Sequence, residues 1–262
     1  MTNQAPWRDL RVGLFSIGTD AYWPQFGGLK DKLEGYNKQV VAQLARADVT
    51  VVNLGLIDTP EKALAAGHRF READVDLIFL HVSTYALSST VLPVVRRAKV
   101  PVIILNLSPG EAIDYATFNA SRDRGAMTGE WLSWCQACSV PEIANLFRRC
   151  RIPFFQVTGM LENDPASSSE ISAWLAAARV AFIMEHNRLG VMGHYYGGML
   201  DIYSDLTRQC AGFGGHIEFV EVDELSALRR AVSESEIEAR VAAFREAFEV
   251  QPDCPAAELR RA

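Results

Sequence analysis

The most constraining feature of this chain is a series of short apolar runs that lack polar alternation and are separated by helical patterns. Arg11–Ser16, Val49–Leu54, Val75–Val82 and Val100–Leu107 are dominated by β-branched residues and leucine. A strand with one wet face alternates apolar and polar residues. These runs do not, so they are expected to be strands buried on both faces. Leu29–Ala45 places its apolar residues at helical spacing. Thr59 can cap a helix that has Pro60 at its first position and Glu61 in its first turn, and a further helix fits about Thr90–Ala98. Strand and helix in alternation imply βαβ units and a parallel sheet.

The pattern then restarts. Ile152–Val157, Arg188–Met192 and His216–Val220 read as strands. Ser167–Asn187, Leu200–Cys210 and Glu234–Glu249 read as helices, with Glu162–Ser169 as a turn-rich break. The expectation is an α/β chain of two open, Rossmann-like parallel-sheet domains in tandem. Residues 1–160 form a flavodoxin-like domain, and residues 161–262 a central domain that is incomplete at its end. After Pro252 and Pro255 the sequence AAELRRA starts a helix without completing an apolar face. Either that tail frays or the chain is the front part of something longer.

Composition narrows the function classes. With 262 residues and a net charge of −6, the chain has the length for two domains and the wrong sign for a nucleic-acid or anionic-membrane partner. No run of about 18 apolar residues suggests a transmembrane helix, and the N-terminus lacks the pattern of a secretory signal. Five cysteines at irregular spacing do not make a disulfide framework. A cytoplasmic setting is expected.

Ligands of open parallel sheets bind beyond the carboxyl ends of the strands. Three loops qualify. The first strand runs into Gly18–Gly28, which carries Asp20, Tyr22, Trp23 and Gln25. Rings pack on the C–H faces of sugars while polar groups hold hydroxyls. The same Tyr22 and Trp23 fit a loop plug, and Asp20 fits either a base or a turn cap. The third strand leads into His81-Val82-Ser83-Thr84-Tyr85, where His81 reads as a ligand contact, a proton carrier or an imidazole tied to a nearby carbonyl. The fourth leads into Asn106-Leu107-Ser108-Pro109-Gly110. Neither a G-x-G-x-x-G fingerprint nor a Walker phosphate loop is present, which weighs against NAD and ATP. Cys135-Gln136-Ala137-Cys138 is a C-x-x-C: a redox pair would need a lowered thiolate pKa, usually at a helix N-terminus, a zinc site two more matched ligands, and packed thiols are the simpler reading. In the second half, Met192–Asp201 is a glycine- and aromatic-rich turn that opens a helix. It suits close backbone approach to a ligand, or simply a turn with positive φ.

Taken in order, these motifs resemble the N-terminal and central domains of the L-arabinose isomerase family, within the L-fucose/L-arabinose isomerase group. Ile17-Gly18-Thr19-Asp20-Ala21-Tyr22 is similar to the loop after that family's first strand. His81-Val82-Ser83-Thr84 stands where the family has H-T-F-S, and Cys135–Ser139 where it has N-Q-x-x-H. Gly193–Met199 looks like a lengthened G-D-N-M loop. Ser139 replaces the loop histidine, and the aromatic of H-T-F-S is missing unless Tyr85 substitutes. Those departures imply a sugar other than L-arabinose. The resemblance implies a metal-dependent aldose–ketose isomerase that forms trimers or hexamers. Its Mn²⁺ would be held by residues outside this chain, which would be inactive alone. The resemblance assigns no catalytic residue here. Tyr22, Gln25, His81, Gln136 and Met199 would face the sugar. A non-catalytic two-lobed sugar-binding or sensor module is the alternative.

Overall fold

The apolar runs at Arg11–Ser16, Val75–Val82 and Val100–Leu107 become largely buried strands, whereas Val49–Leu54 forms the sheet-edge strand, with none of its residues buried because only one neighbour strand covers it. The computed structural model of the chain describes residues 8–193 and 197–262. In chain order the first strands and helices are β1 (Leu10–Ile17), α1 (Leu29–Leu44), β2 (Val49–Ile57), α2 (Pro60–Glu72), β3 (Leu77–Val82), α3 (Leu92–Ala98) and β4 (Val102–Ser108). Then come α4 (Tyr115–Ala120), α5 (Arg124–Leu132), α6 (Gln136–Arg149), β5 (Phe154–Met160) and α7 (Pro165–His186). Among the described residues, β1 to β5 form one sheet in the order β2-β1-β3-β4-β5, with every neighbouring pair parallel. All six residues of β3 are buried, as its lack of alternation requires.

Two apolar layers sandwich this sheet. On one face Phe15, Ile78, Leu80 and Ile104 pack with Phe70 of α2, Val94 of α3 and Phe147 of α6. On the other, Val12, Leu14, Phe79 and Leu105 pack with Val40 of α1 and Ile171 and Leu175 of α7. Close approach depends on two glycines. A Cβ on Gly13 would sit 2.9 Å from the Phe70 ring, and one on Gly67 of α2 only 2.7 Å from the Pro93 carbonyl oxygen at the start of α3. α2 begins as its sequence predicts: the Thr59 hydroxyl accepts from the Lys62 N–H at 3.3 Å, and Pro60 is the first helical residue.

The chain divides into two compact units, Met1–Ile183 and Met184–Ala262. The sequence reading places its division after residue 160. The difference comes from α7, whose Ile171, Leu175 and Phe182 complete the core of the first sheet. Arg179 of the same helix donates to the backbone carbonyl of Arg8 at 2.9 Å. In the second unit β6 (Arg188–Met192), α8 (Leu206–Phe213) and β7 (His216–Val220) form a βαβ unit whose strands pair in parallel. α9 (Val222–Ala231), α10 (Glu234–Ala247) and α11 (Ala256–Arg261) follow. The helix expected over Leu200–Cys210 is a 3₁₀ turn at Leu200–Ile202 and then α8, which starts where the Asp205 carboxylate accepts from the Arg208 N–H. The tail is helical, and Arg260 of α11 pairs with Glu234 and Glu238 of α10. His194, Tyr195 and Tyr196, from the glycine- and aromatic-rich turn, lie outside the described residues. Among the described residues no helix is long and apolar enough to cross a membrane.

Gly67→Ala tests the α2–α3 contact. Helix propensity alone would stabilise the variant by about 1 kcal/mol, whereas overpacking costs about 1–3 kcal/mol. The obstacle is backbone, which cannot swing aside, so a lower urea midpoint is expected. An unchanged or higher midpoint would show that α2 and α3 separate freely.

Candidate functional site

Strand order reverses between β1 and β3. The connection leaving β1 goes to β2 on one side, while that leaving β3 goes to β4 on the other, so this edge is the switch point whose crevice takes ligands in open α/β sheets generally. The β1 loop is pinned at its base. Trp23 Nε1 donates to Asp58 Oδ2 at 2.8 Å, and Lys62 Nζ donates to Asp58 Oδ1 at 2.6 Å. The Asp58 side chain is only 2% exposed. Burial pulls its carboxyl upward, but the bonds from Lys62 and Trp23 outweigh that and hold it below the usual range. Gly18 permits this arrangement, because a Cβ there would lie 2.9 Å from the Trp23 ring.

Tyr22 meets Trp23 and Phe26 edge-on, with ring centroids 6.5 and 5.8 Å apart, in a cluster with Leu29, Leu33 and Leu132. Both Tyr22 and Trp23 are half-buried. Burial, then the nearby Tyr85 and Cys135, raise the Tyr22 hydroxyl pKa. Those three side chains therefore share one edge of the sheet. α5 closes over the cluster through Lys32, whose ammonium donates to Glu130 at 2.6 Å, while Trp134 Nε1 donates to the same carboxylate at 3.1 Å. In the β3 loop the small polar side chains are spent on backbone. Ser83 donates to the Ile17 carbonyl and Thr84 to that of Leu132, both at 2.7 Å. Ser139 of α6 accepts from Ala86 N–H at 2.8 Å and donates to Ala86 O at 3.0 Å. Tyr85 stands out of this web, 41% exposed.

His81 does not reach the crevice. It is fully buried on the α1 side of the sheet, paired in register with Ser16 of β1 and Leu105 of β4. Its Nδ1 lies 2.8 Å from Ser16 Oγ, which accepts from Asn37 Nδ2 at 2.9 Å. Asn37 Oδ1 accepts from Asn53 at 2.7 Å, and Asn53 Oδ1 accepts from the Gly55 N–H at 3.0 Å. Among the described residues His81 Nε2 has no partner. Burial alone pushes the imidazole down to about 3, so it is neutral near pH 7.

The other nominated residues are dispersed. Gln25 is exposed on the β1 loop, where its amide donates to Ala21 O at 2.6 Å. Gln136 opens α6, buried, with its Oε1 unpartnered among the described residues. Met199 belongs to the second unit and is half exposed before the Leu200–Ile202 turn. Asp20 is exposed in the 3₁₀ turn Asp20–Tyr22, and no side-chain bond caps that turn. Two arrangements escaped the sequence reading: the Asp58 anchor and the Ser16–Asn37–Asn53 string. Their signals were a carboxylate immediately before the Thr59-Pro60 cap, and polar residues at otherwise apolar positions of strand and helix. In the second unit a cavity of about 140 Å³ is lined by Met184, Leu189, Phe213 and His216, at the amino rather than the carboxyl ends of β6 and β7. Among the described residues no group of three or more His, Cys, Asp or Glu is placed to hold a metal ion, so the residues present do not fit the Mn²⁺ that the resemblance implies.

No protein-family model matches the chain, and no curated protein matches it. Among solved structures it is similar to the response regulator domain of Thermotoga maritima CheB. That likeness has 11% identity over 66% of this chain and 95% of that one, with a TM-score of 0.27. At that score the likeness says nothing of what this chain does.

The buried imidazole sets a pH dependence. In the unfolded chain His81 titrates near 6.5, against about 3 when folded. As pH falls, the unfolded chain takes up its proton first. Stability should be indifferent to His81 above pH 6.5, then fall by about 1.4 kcal/mol per pH unit until pH nears 3. Urea midpoints at about pH 7 and about pH 5 check this, the wild type losing more on acidification than His81→Gln. Equal losses would mean that the ring is already solvated in the folded state.

Proposed function

We propose that the first unit binds a small polyhydroxylated ligand, a sugar, at the carboxyl ends of β1 and β3. The observation that carries this reading is the strand order, which sets the switch point between the loop bearing Asp20, Tyr22 and Gln25 and the loop bearing Tyr85. A partly exposed ring and an exposed carboxylate are the groups that grip the C–H faces and hydroxyls of a sugar. The motifs that resemble L-arabinose isomerases, Ile17–Tyr22 and His81–Thr84, run from the ends of β1 and β3 into these two loops, with His81 itself inside β3. In this reading the chain is the sugar-facing part of a cytoplasmic, homo-oligomeric aldose–ketose isomerase, without a nucleic-acid or membrane partner. The metal and the proton-transferring groups come from outside these residues. A second reading is a non-catalytic sugar-binding module. It is favoured by the burial of His81, which removes the nominated proton carrier from the crevice.

Calorimetric titration of the chain with a panel of pentoses and deoxyhexoses, paired with a Mn²⁺-dependent ketose assay, separates these readings. Saturable binding without turnover supports the module, and metal-dependent turnover supports the isomerase. Absence of binding to every sugar sinks both. Tyr85→Ala should weaken binding about 3- to 10-fold, the worth of one contact, with stability unchanged to about 0.5 kcal/mol. Tyr22→Ala should instead lower stability by about 1–3 kcal/mol, because its ring is part of the Leu29–Leu33–Leu132 cluster.

A further inference from the structure

The C-x-x-C of α6 has no part in sugar binding as argued above, yet its geometry is specific. Cys135 caps the helix and Cys138 stands in its first turn. The Cys138 N–H donates to the Cys135 carbonyl at 3.2 Å, closing the turn that carries both. The α-carbons of residues three apart in a helical turn lie about 5 Å apart, within the about 4.4–6.8 Å that a disulfide spans, and the bridge closes their Cβ atoms from about 5–6 Å to about 4 Å. Burial first, then the charge and hydrogen bond of Cys138, push the Cys135 thiol up to about 12. Cys135 is buried and its Sγ–H reaches the Trp131 carbonyl at 3.4 Å, whereas Cys138 is exposed. One turn on, Pro141 has no N–H to offer the Ala137 carbonyl, so the first turn is not tied to the second at that point. The turn can therefore adjust without unravelling α6.

We propose that Cys135 and Cys138 form a reversible dithiol–disulfide site, oxidised by a peroxide, beside the β1/β3 crevice. Cys138, the thiol an oxidant can reach, attacks one peroxide oxygen as its thiolate. The O–O bond breaks, Cys138 becomes a sulfenic acid, and the departing oxygen leaves as water. Cys135 then loses its proton and attacks the Cys138 sulfur. The S–O bond breaks, a second water leaves, and the S–S bond forms. Two thiols and one hydrogen peroxide give one disulfide and two waters. An external dithiol returns the two electrons. The bridge would fix the turn that carries Gln136, next to Tyr22.

Trypsin releases both cysteines in one peptide, Gly125–Arg148, which contains no other cysteine. The reduced full chain is treated with hydrogen peroxide, quenched with iodoacetamide and digested. The expected peptide is unalkylated and about 2 Da lighter than the dithiol, and dithiothreitol restores two alkylatable thiols. In Cys135→Ser, dimedone should trap a sulfenic acid on Cys138. The proposal is overturned if wild type retains two alkylatable thiols after oxidation. It is also overturned if Cys138 goes to sulfinic acid without a bridge, or if either cysteine pairs with Cys150, Cys210 or Cys254.

Discussion

A parallel sheet buries both of its faces, and in the first unit nearly everything else follows from covering β1 and β3. Each apolar side chain taken out of water there contributes about 1.5–3 kcal/mol, against about 1–2 kcal/mol per residue for ordering the backbone. The margin survives only if both faces are closed. α1 and α7 close one, and α2, α3 and α6 close the other. That is why α7 belongs with the first sheet although it follows a turn-rich break in the sequence. Without Ile171, Leu175 and Phe182, the face bearing Leu105 and Val157 would stand in water. The second unit lacks such closure. β6 and β7 pair in parallel, yet none of its described residues is buried, and Phe213, Phe219 and Leu228 are more than half exposed. A two-stranded sheet is marginal alone, so this unit draws little stability from its own packing.

Within the first core runs one polar string, from the Gly55 N–H through Asn53, Asn37 and Ser16 to His81. Its bonds each contribute about 0.5–1.5 kcal/mol net, while the unpartnered His81 Nε2 costs about 1–3 kcal/mol. The four bonds together outweigh that cost, so the string is modestly stabilising. It also supplies register. A one-residue slip of β1 against β3 would turn Ser16 to the opposite face and strand the imidazole without a partner.

The strands were legible because their lack of alternation has one structural meaning. So was the start of α2, since Thr59, Pro60 and Glu61 each act locally. What could not be read was anything decided by register or by a choice between neighbours. A histidine near a strand end looks the same in sequence whether it faces the crevice or the α1 layer. Only pairing with Ser16 and Leu105 decides it. The apolar positions of α7 likewise do not say which sheet they cover. Asp205, by contrast, was a readable cap, and the helix drawn from Leu200 ran through it because periodicity was followed past a stronger local signal.

The same tertiary bonds that hid the site from the sequence also shape what it can do. Trp23 is fixed to Asp58, Ser83 to Ile17, Thr84 to Leu132 and Ser139 to Ala86, so both crevice loops are braced by groups beneath them. A braced wall loses little conformational freedom when a ligand arrives, and more of each contact survives as affinity. The cost is chemical. Serine and threonine hydroxyls committed to carbonyls cannot also hold substrate, and a neutral, enclosed imidazole cannot shuttle protons to solvent. In the proposed reading, the exposed groups of these loops, Asp20 and Tyr85 among them, are the ones left to meet a ligand's shape and hydroxyls. On the proposed reading this edge therefore holds a ligand rather than transforms it, and any transformation has to draw its metal and its proton transfers from residues beyond it.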